Sequence, residues 1–506
     1  MEVSSTVIVM ASLLIVLGFL VILCKPRGRL GRGGLGDLFG CLVSFYMNRH
    51  QLLDWYTDML AESSTNTVVV ERLGARRTII TANPNNVEYM LKTNFKNYPK
   101  GKPFTDILDD FLGSGIFNVD GDLWRAQRKL TSHEFSTRSL REYAMNALRN
   151  EVEDELLPAL ESAAESSRPV DLQDLLKRVA FNLICKVSLG TGVEGPCHSS
   201  LDLSLPGSPL ARAFDVSSEV SAARGAESLP VLWKIKRWLG VGSERRLREA
   251  VREIHAIING AIHEKIIQKA KSGGCELDLL SRMISAGLDE GMMRDMSISF
   301  VVAGRDSTSA AMVWLLWTLC CHQGIKQHLL NEIERVLSAD GKQLDYETLS
   351  ELSLLDACLY ESMRLYPPVA WDSKHAVADD LLPDGTGVRS GDRVTYFPYG
   401  MGRMEALWGK DRLEFRPNRW LIGGSVGLDG SAGELKKVSP FKFPIFQAGP
   451  RDCIGKQMAF VQMKYVVASI LRKFDIQPVS HSKPIFVPRL TAHMAGGFLV
   501  HVRRSS

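Results

Sequence analysis

The chain has 506 residues, of which 45% are hydrophobic and 23% are charged, and its formal net charge is +4. This composition is typical of a globular protein, and so small a charge does not indicate a nucleic-acid-binding protein. The nine cysteines form no C-x-x-C pair, which argues against a zinc site and fits a reducing, cytosol-facing compartment better than a disulfide scaffold.

The N-terminal segment differs from the remainder in hydropathy. Thr6–Cys24 is a run of 19 residues without a charge, about 28 Å long as a helix, which is enough to cross a bilayer core of about 30 Å. Basic residues between Lys25 and Arg32 follow it and place the rest of the chain in the cytosol. A cleaved signal peptide would have the opposite charge order and a small-residue cleavage site. We therefore predict a single-pass anchor over residues 1–24, in the endoplasmic reticulum membrane.

Residues 25–50 are predicted to be a linker. They contain a G-x-G-x-x-G pattern formed by Gly31, Gly33 and Gly36. A dinucleotide site needs this pattern between a strand and a helix of a βαβ unit. Because the pattern here follows the predicted anchor, a flexible linker is the favoured interpretation.

The predicted catalytic domain, residues 51–506, begins with a β-hairpin. Thr67–Arg72 and Arg77–Thr81 are rich in β-branched residues and flank a turn-like sequence. Pro84 then opens a helix, and Lys100–Phe117 is predicted to be a mixed loop.

Three further segments precede the middle of the chain. Leu123–Phe135 is predicted to be a helix with Trp124 and Arg128 on one face, since residues four apart are neighbours. Residues 191–230 are rich in Gly, Ser and Pro and are predicted to be the least structured part. Leu232–Leu239 combines basic and aromatic residues: it lies on a membrane surface or forms an ordinary solvated helix, the commoner case.

Met292–His322 is apolar on nearly all sides, as expected of a buried central helix. Arg305 and Asp306 argue against a second membrane span, because each costs about 2.5–3.5 kcal/mol at a bilayer centre. Small and hydroxyl residues interrupt its middle, at Ala303–Ser309. A buried helix accepts such residues where small ligands or protons must pass, often with local distortion of the helix.

Phe446–Phe460 carries the strongest chemical signal. Cys453 lies between Gly449 and Gly455, two residues after Arg451 and just before an apolar helical run. Free backbone N–H groups and the positive helix end favour a thiolate there, and the glycines allow the backbone to approach something flat and bulky. This set suits a thiolate ligand of haem iron. The alternative is a buried structural cysteine beside a helix cap.

The spacing Phe446-x-x-Gly449-x-Arg451-x-Cys453-x-Gly455 resembles the haem-binding signature of the cytochrome P-450 family of haem-thiolate monooxygenases. The resemblance spans nearly the whole chain, with the family's motifs in order. It implies a mainly α fold with a small β-rich lobe, and haem b between the Cys453 loop and the long central helix.

The resemblance also assigns roles to residues elsewhere. The cofactor-binding residues would be Phe446, Gly455, Arg451, Trp124, Arg128 and Lys374. The proton relay would consist of the acid Asp306 and an alcohol, normally threonine, which here is Ser307 with Thr308 beside it. A buried ion network behind the thiolate would consist of Glu361, Arg364 and Arg419.

Two departures from the family pattern have consequences. Ser307 keeps the hydroxyl but lacks the methyl group that fixes a threonine rotamer, so we expect less tightly coupled oxygen activation. Asp452, directly before the predicted ligand, either disfavours extra negative charge at the iron or faces solvent. Because the chain has no convincing flavin or dinucleotide site, electrons are expected from a separate NADPH–cytochrome P-450 reductase on the same membrane.

Several segments look like those of the plant ω-hydroxylase clan, whose members act on fatty acids and on jasmonoyl-isoleucine. They are Asn97–Pro103, Gly115–Asp122, Trp371–His375, Arg393–Arg403 and Leu490–Gly497. The last looks closest to the jasmonoyl-amino acid hydroxylases. The favoured prediction is ω-hydroxylation of jasmonoyl-isoleucine, which would lower the level of that hormone signal, and fatty-acid ω-hydroxylation is the alternative. A reductase-independent hydroperoxide isomerase or lyase and a non-catalytic haem sensor are remoter, because neither needs the acid–alcohol pair.

Attack on a terminal methyl group needs a lipophilic carboxylate substrate held in an apolar channel with its carboxylate far from iron. Lys100 or Lys102 is a candidate for the carboxylate anchor, although lysines in a loop are more often simply solvated. The channel candidates are Phe117, Val301, Val302, Val369 and Leu490.

Overall fold

The computed structural model describes residues 44, 45, 47, 48 and 51–505, apart from 72–75, 191–196, 203–204, 206, 228–230, 273–276, 339–342 and 425–432. Its α-helices are α1 (Leu52–Glu62), α2 (Pro84–Glu88), α3 (Lys102–Leu112), α4 (Gly121–Ser136), α5 (Arg138–Asn150), α6 (Leu157–Ser166), α7 (Leu172–Leu189), α8 (Pro209–Ala226), α9 (Val231–Leu239), α10 (Ser243–Ser272), α11 (Leu279–Ser285), α12 (Glu290–Cys321), α13 (Gln323–Ser338), α14 (Tyr346–Ser350), α15 (Ser353–Leu365), α16 (Pro398–Met401), α17 (Glu405–Trp408) and α18 (Lys456–Lys473). Its strands are β1 (Thr67–Val70), β2 (Thr78–Thr81), β3 (Val170–Asp171), β4 (Asp372–His375), β5 (Asp380–Leu381), β6 (Gly387–Val388), β7 (Arg393–Tyr396), β8 (Phe474–Pro478), β9 (Phe486–Pro488), β10 (Ala492–Met494) and β11 (Leu499–Arg504). The predicted mainly α fold with a small β-rich lobe is confirmed.

The long helix α12 forms the centre of the larger core. It packs against α7, α15 and α18, and Trp314 and Leu315 are wholly buried. Because neighbours surround this helix, it needs apolar residues on nearly all sides and not only along one stripe, as the sequence predicted. It stays helical through Ala303–Ser309, without the expected distortion, although the hydroxyl groups there donate to carbonyls four residues earlier and so compete with the backbone.

The β-rich lobe is a four-stranded sheet in the order β1-β2-β7-β4 with its own smaller core. The hairpin β1–β2 is antiparallel, as predicted, and β2 pairs with β7 in parallel, with Ile80 opposite Thr395. Ile79 and Val394 are fully buried beneath the sheet. This lobe positions β4 and the segment before it beside the site described below.

Two predicted loop regions contain helices. Lys100–Phe117 was predicted to be a loop, and α3 occupies most of it because Phe104, Leu108 and Phe111 recur at helical spacing and bury one face. The region 191–230 was predicted to be the least structured, yet α8 fills its second half, capped by the Ser208 hydroxyl, which accepts from the Ala211 N–H group.

The predicted anchor, residues 1–24, the glycine pattern of the linker and the turn of the first hairpin lie outside the described residues. Across the residues described, no helix combines the length and the apolar character that crossing a bilayer requires. Leu232–Leu239 is helical, and α9 leaves Trp238 83% exposed and Leu239 56% exposed.

Candidate active site

The loop before α18 places Cys453 with backbone contacts alone. The Cys453 N–H group donates to the Phe446 carbonyl at 2.8 Å. Gly449 has φ +69°, and a Cβ atom there would lie 2.1 Å from the Leu91 carbonyl oxygen. A side chain at this position would therefore clash with backbone and strain the loop. The glycine is required by the packing of the loop itself.

Cys453 is an exposed residue, and yet the protein around it partly desolvates its thiol. Desolvation raises the pKa of Cys453 above its usual value, and the Gly455 N–H group and the positive charge of Arg128 only partly offset this. The Gly455 N–H group at the helix start favours the thiolate, as expected, but for the protein alone desolvation opposes it more strongly. A bound metal cation would reverse this balance.

A small cavity lies between the start of α18, just after Cys453, and helices α5 and α7. Its volume is about 60 Å³, and its walls include Ile454, Met458 and Ile184. Ile184 of α7 also packs against Gly304 of α12, where a Cβ atom would come within 2.6 Å of its side chain. Gly304 therefore lets α7 and α12 approach closely, a role that the sequence did not suggest.

The hydroxyl-bearing residues in the middle of α12 differ in how exposed their side chains are. Ser307 is half-buried, and its hydroxyl donates to the Ala303 carbonyl at 2.8 Å. Thr308 is 4% exposed and donates to the Gly304 carbonyl at 2.5 Å. Ala303 is exposed although it lies in the middle of a buried helix. Of the two predicted hydroxyls, that of Ser307 is the more accessible.

The acid Asp306 is not free. Arg305 Nε donates to Asp306 Oδ1 at 2.5 Å, and Arg305 Nη2 donates to Asp215 Oδ1 of α8 at 2.8 Å. The guanidinium of Arg305 is buried, so two carboxylates share one desolvated cation. Sequence analysis missed Asp215, because nothing in the residues around it indicates a partner on α12.

Arg451 and Trp124 lie together, as two predicted cofactor-binding residues. The guanidinium carbon of Arg451 is 4.4 Å from the Trp124 ring centre, and Arg451 Nη2 donates to Asp120 Oδ1 at 2.6 Å. Within the described part of the chain, the buried Arg451 Nε has no hydrogen-bond partner. Arg128 contacts both the carbonyl and the carboxylate of Asp452. Asp452 is thus solvent-exposed and also paired with a cation.

Lys374 and Lys100 share one buried carboxylate. Their Nζ atoms lie 2.7 and 3.3 Å from Asp372, which also accepts from Tyr396 and Gln447. Desolvation lowers the pKa of Lys374 to about 8, although Asp372 opposes this shift. Lys100 is 8% exposed and its ammonium group pairs with the buried Asp372. The prediction that it anchors substrate at an entrance is therefore wrong.

The structure brings Glu361, Arg364 and Arg419 together. Arg364 donates to both carboxylate oxygens of Glu361 at 2.8 Å, and both side chains are fully buried. Arg419 Nε lies 3.3 Å from Glu361 Oε1. Trp420 Nε1 also donates to Glu361 at 2.8 Å, a member of the cluster that sequence analysis did not name.

The channel candidates fall into three groups. Phe117 and Val369 are 38% and 36% exposed, and Val302 and Leu490 are half-buried. Val301 has no exposed surface and is packed in the main core, so the prediction that it lines a channel is wrong. Lys102 is exposed at the start of α3.

Comparison with known proteins decides the family. The family model described as Cytochrome P450 matches residues 33–500. The chain belongs to the cytochrome P450 family. Cytochrome P450 94B1 of Arabidopsis thaliana is 54% identical over 472 residues, covering 92% of this chain and 90% of that protein. Cytochrome P450 94A2 of Vicia sativa is 42% identical over 476 residues, covering 93% of this chain and 90% of that protein.

The fold agrees with that assignment. The crystal structure of cytochrome P450DA heme domain matches with a TM-score of 0.72 at 19% identity, over 95% of this chain and 96% of that chain. This P450 is therefore a monooxygenase that binds haem through a cysteine thiolate and receives electrons from a separate reductase. When bound, haem supplies the iron that activates dioxygen for insertion of one oxygen atom into a substrate.

The residues of this P450 fit a haem group. A Cβ atom on Gly455 would meet no heavy atom within 4 Å, so the protein leaves open space beside this end of the loop. The exposed residues Cys453 and Ala303 supply a ligand and an apolar surface. The unpartnered Nε of Arg451 is a donor suited to a propionate carboxylate.

Proposed function

We propose that this P450 catalyses ω-hydroxylation of jasmonoyl-isoleucine, with Cys453 as the iron ligand. In this proposal Arg451, Trp124 and Lys374 hold the haem propionates, and Arg128 exchanges Asp452 for a propionate. Two cations already share the single carboxylate of Asp372, so this buried region can accept a further anion.

The observation that carries the substrate proposal is the position of Leu490–Gly497. This segment looks closest to the jasmonoyl-amino acid hydroxylases and forms β10 and its flanking turns, packed against α12. The Ala492 N–H group donates to the Pro368 carbonyl at 2.8 Å, directly before the exposed Val369. The segment therefore contains one proposed channel residue, Leu490, and lies beside another, Val369, where it can act on substrate choice.

Incubation with candidate substrates tests this function. Membranes carrying the chain, with NADPH and cytochrome P450 reductase, should convert jasmonoyl-isoleucine to its terminal alcohol with a higher kcat/KM than a fatty acid. A higher kcat/KM for the fatty acid would favour the alternative ω-hydroxylase. Turnover of a fatty-acid hydroperoxide without NADPH would indicate an isomerase or lyase, and haem without product from any substrate would indicate a sensor.

We further propose that the enzyme acts on the endoplasmic reticulum membrane beside its reductase. The predicted anchor is one support, and the exposed apolar and basic residues of α9 are another, because an amphipathic basic helix binds a membrane surface. Activity should sediment with the microsomal fraction. Activity found only in the soluble fraction would contradict this location.

Lys102 is proposed to anchor the substrate carboxylate. It lines an open depression of about 540 Å³ together with three further cations, Lys234, Arg237 and Arg248, and the rings of Trp233 and Trp238. Cations outnumber the single acid there, Asp106. A carboxylate would be attracted to this depression, and the tryptophan rings would cover the apolar part of the molecule.

Lys102→Glu should raise the KM for a carboxylate substrate by about tenfold, the size of one charge-assisted contact, and should change the KM for its methyl ester little. Lys96→Glu is the matched control, since Lys96 is also exposed and does not line the depression. The measurement is the KM for acid and ester with each variant. Equal changes for acid and ester would rule out the anchor.

A further inference from the structure

Four alternating charges connect three helices at the middle of α12. Lys177 of α7 donates to Asp215 Oδ1 of α8 at 2.6 Å, and the same oxygen accepts from Arg305 Nη2 at 2.8 Å. Arg305 Nε then donates to Asp306 Oδ1 at 2.5 Å. We call these four residues the α12 charge chain.

Arg305 holds this chain together from a buried position. Its side chain is 2% exposed, and its remaining amino group, Nη1, donates to the Ala211 carbonyl of α8 at 3.2 Å. A buried guanidinium is stable only when carboxylates and carbonyls satisfy it. Both Asp215 and Asp306 serve that purpose, so they compete for one cation.

The charge of Asp215 is itself set by two cations. Desolvation raises the pKa of Asp215, but Arg305 and Lys177 outweigh this effect and leave the pKa below its usual value. Asp215 is therefore a carboxylate at neutral pH. How strongly it draws Arg305 depends on how much of its charge Lys177 neutralises.

Helix α8 also touches the segment that we assign to substrate choice. Glu219, one turn after Asp215, lies 3.3 Å from Arg489 in the turn between β9 and β10. Arg489 directly precedes the channel candidate Leu490. The helix that carries Asp215 thus joins the proposed channel to Arg305.

We propose that Asp215 is a positioning residue for proton delivery, because it competes with Asp306 for Arg305. A carboxylate paired with a buried guanidinium is fixed in place by that pair. When Asp215 takes a larger share of Arg305, Asp306 can leave the pair, take up a proton from solvent and pass it to Ser307 Oγ as that hydroxyl releases its own proton into the site, so that both the carboxylate and the hydroxyl are regenerated. This inference rests on the proposed relay role of Asp306 and Ser307.

The competition predicts effects of opposite sign for two neighbours. In Asp215→Asn, Arg305 pairs with Asp306 alone. Product formed per NADPH should therefore fall by about fivefold, which is near the lower end of usual coupling between sites. Hydrogen peroxide formed per NADPH should rise. Lys177→Gln leaves Asp215 to Arg305 alone, so Asp306 is freed and product per NADPH should rise. Asp215→Glu should restore the wild-type ratio.

Glu244→Gln is the matched control. Glu244 is one of two acids on another buried arginine of α8, Arg224, whose second acid is Asp110. This variant removes a carboxylate from a comparable pair outside the α12 charge chain and should leave product per NADPH unchanged. The thermal unfolding midpoint and the ferrous–carbon monoxide band are measured for every variant. They show that each variant is folded and contains haem before its product per NADPH is compared with that of the wild type.

The solvent deuterium isotope effect on product formation completes the test, because a purely structural role would not alter it. It should increase in Asp215→Asn and decrease in Lys177→Gln. Changes of the same sign in both variants, or none in either, would overturn the competition. Wild-type behaviour of Asp306→Asn would instead rule out the relay role that the family resemblance implies for Asp306. A slow Asp306→Asn variant together with an Asp215→Asn variant that behaves like the wild type would contradict this inference alone.

Discussion

Cys453→Ala should abolish turnover and the red-shifted Soret band of the reduced carbon monoxide complex. The cysteine is the only residue of the haem-binding signature whose side chain can supply a thiolate. Without its sulfur, the bound iron loses the electron donor that favours cleavage of the O–O bond. The measurements are the reduced carbon monoxide difference spectrum and product formation with NADPH and reductase.

Cys321→Ala is the matched control for this prediction. Cys321 is also an exposed free cysteine, but it lies at the end of α12, away from the Cys453 loop. Its variant should keep both the spectrum and the turnover. If Cys453→Ala kept them too, the assignment of the iron ligand would have to be abandoned.

Glu361→Ala should lower the free energy of unfolding by about 3–5 kcal/mol, because it leaves buried cations without their carboxylate. Glu361 accepts from both Arg364 and Trp420, and the Arg416 backbone N–H donates to it at 2.9 Å. Arg364 has no exposed surface, so solvent cannot replace the lost partner. A loss of this size is a large part of the usual 5–15 kcal/mol.

Denaturant unfolding of the purified holoprotein measures this effect, and the carbon monoxide band reports how much haem protein accumulates. Glu142→Gln is the control, because Glu142 pairs with Arg138 across an exposed i,i+4 spacing. Water screens such an exposed pair, so the unfolding midpoint of the Glu142→Gln variant should equal that of the wild type. An unchanged midpoint for Glu361→Ala would show that the cluster does not stabilise the core.

Local chemistry at short spacing could be interpreted from the sequence. The Cys453 loop was predicted because its glycines, its arginine and the helix after it are constrained within ten residues of backbone. The segment Met292–His322 was also interpreted from local sequence. Its apolar run predicted a buried helix, and its polar interruption predicted that the middle of this helix takes part in function. Helix α3 was missed, because Gly101 and Pro103 suggested a loop although the apolar spacing was helical.

The sequence alone thus determined the family signature, the central helix and the Glu361–Arg364 pair, since each depends on residues close together in the chain. The tertiary structure decided which charges meet. Asp215 and Arg305 are 90 positions apart, and Lys100 reaches Asp372 across 272 positions, because hydrophobic packing of helices and sheet, not spacing, brings them into contact. It also sets the desolvation that raises the pKa of Cys453, since desolvation depends on how much protein surrounds a group.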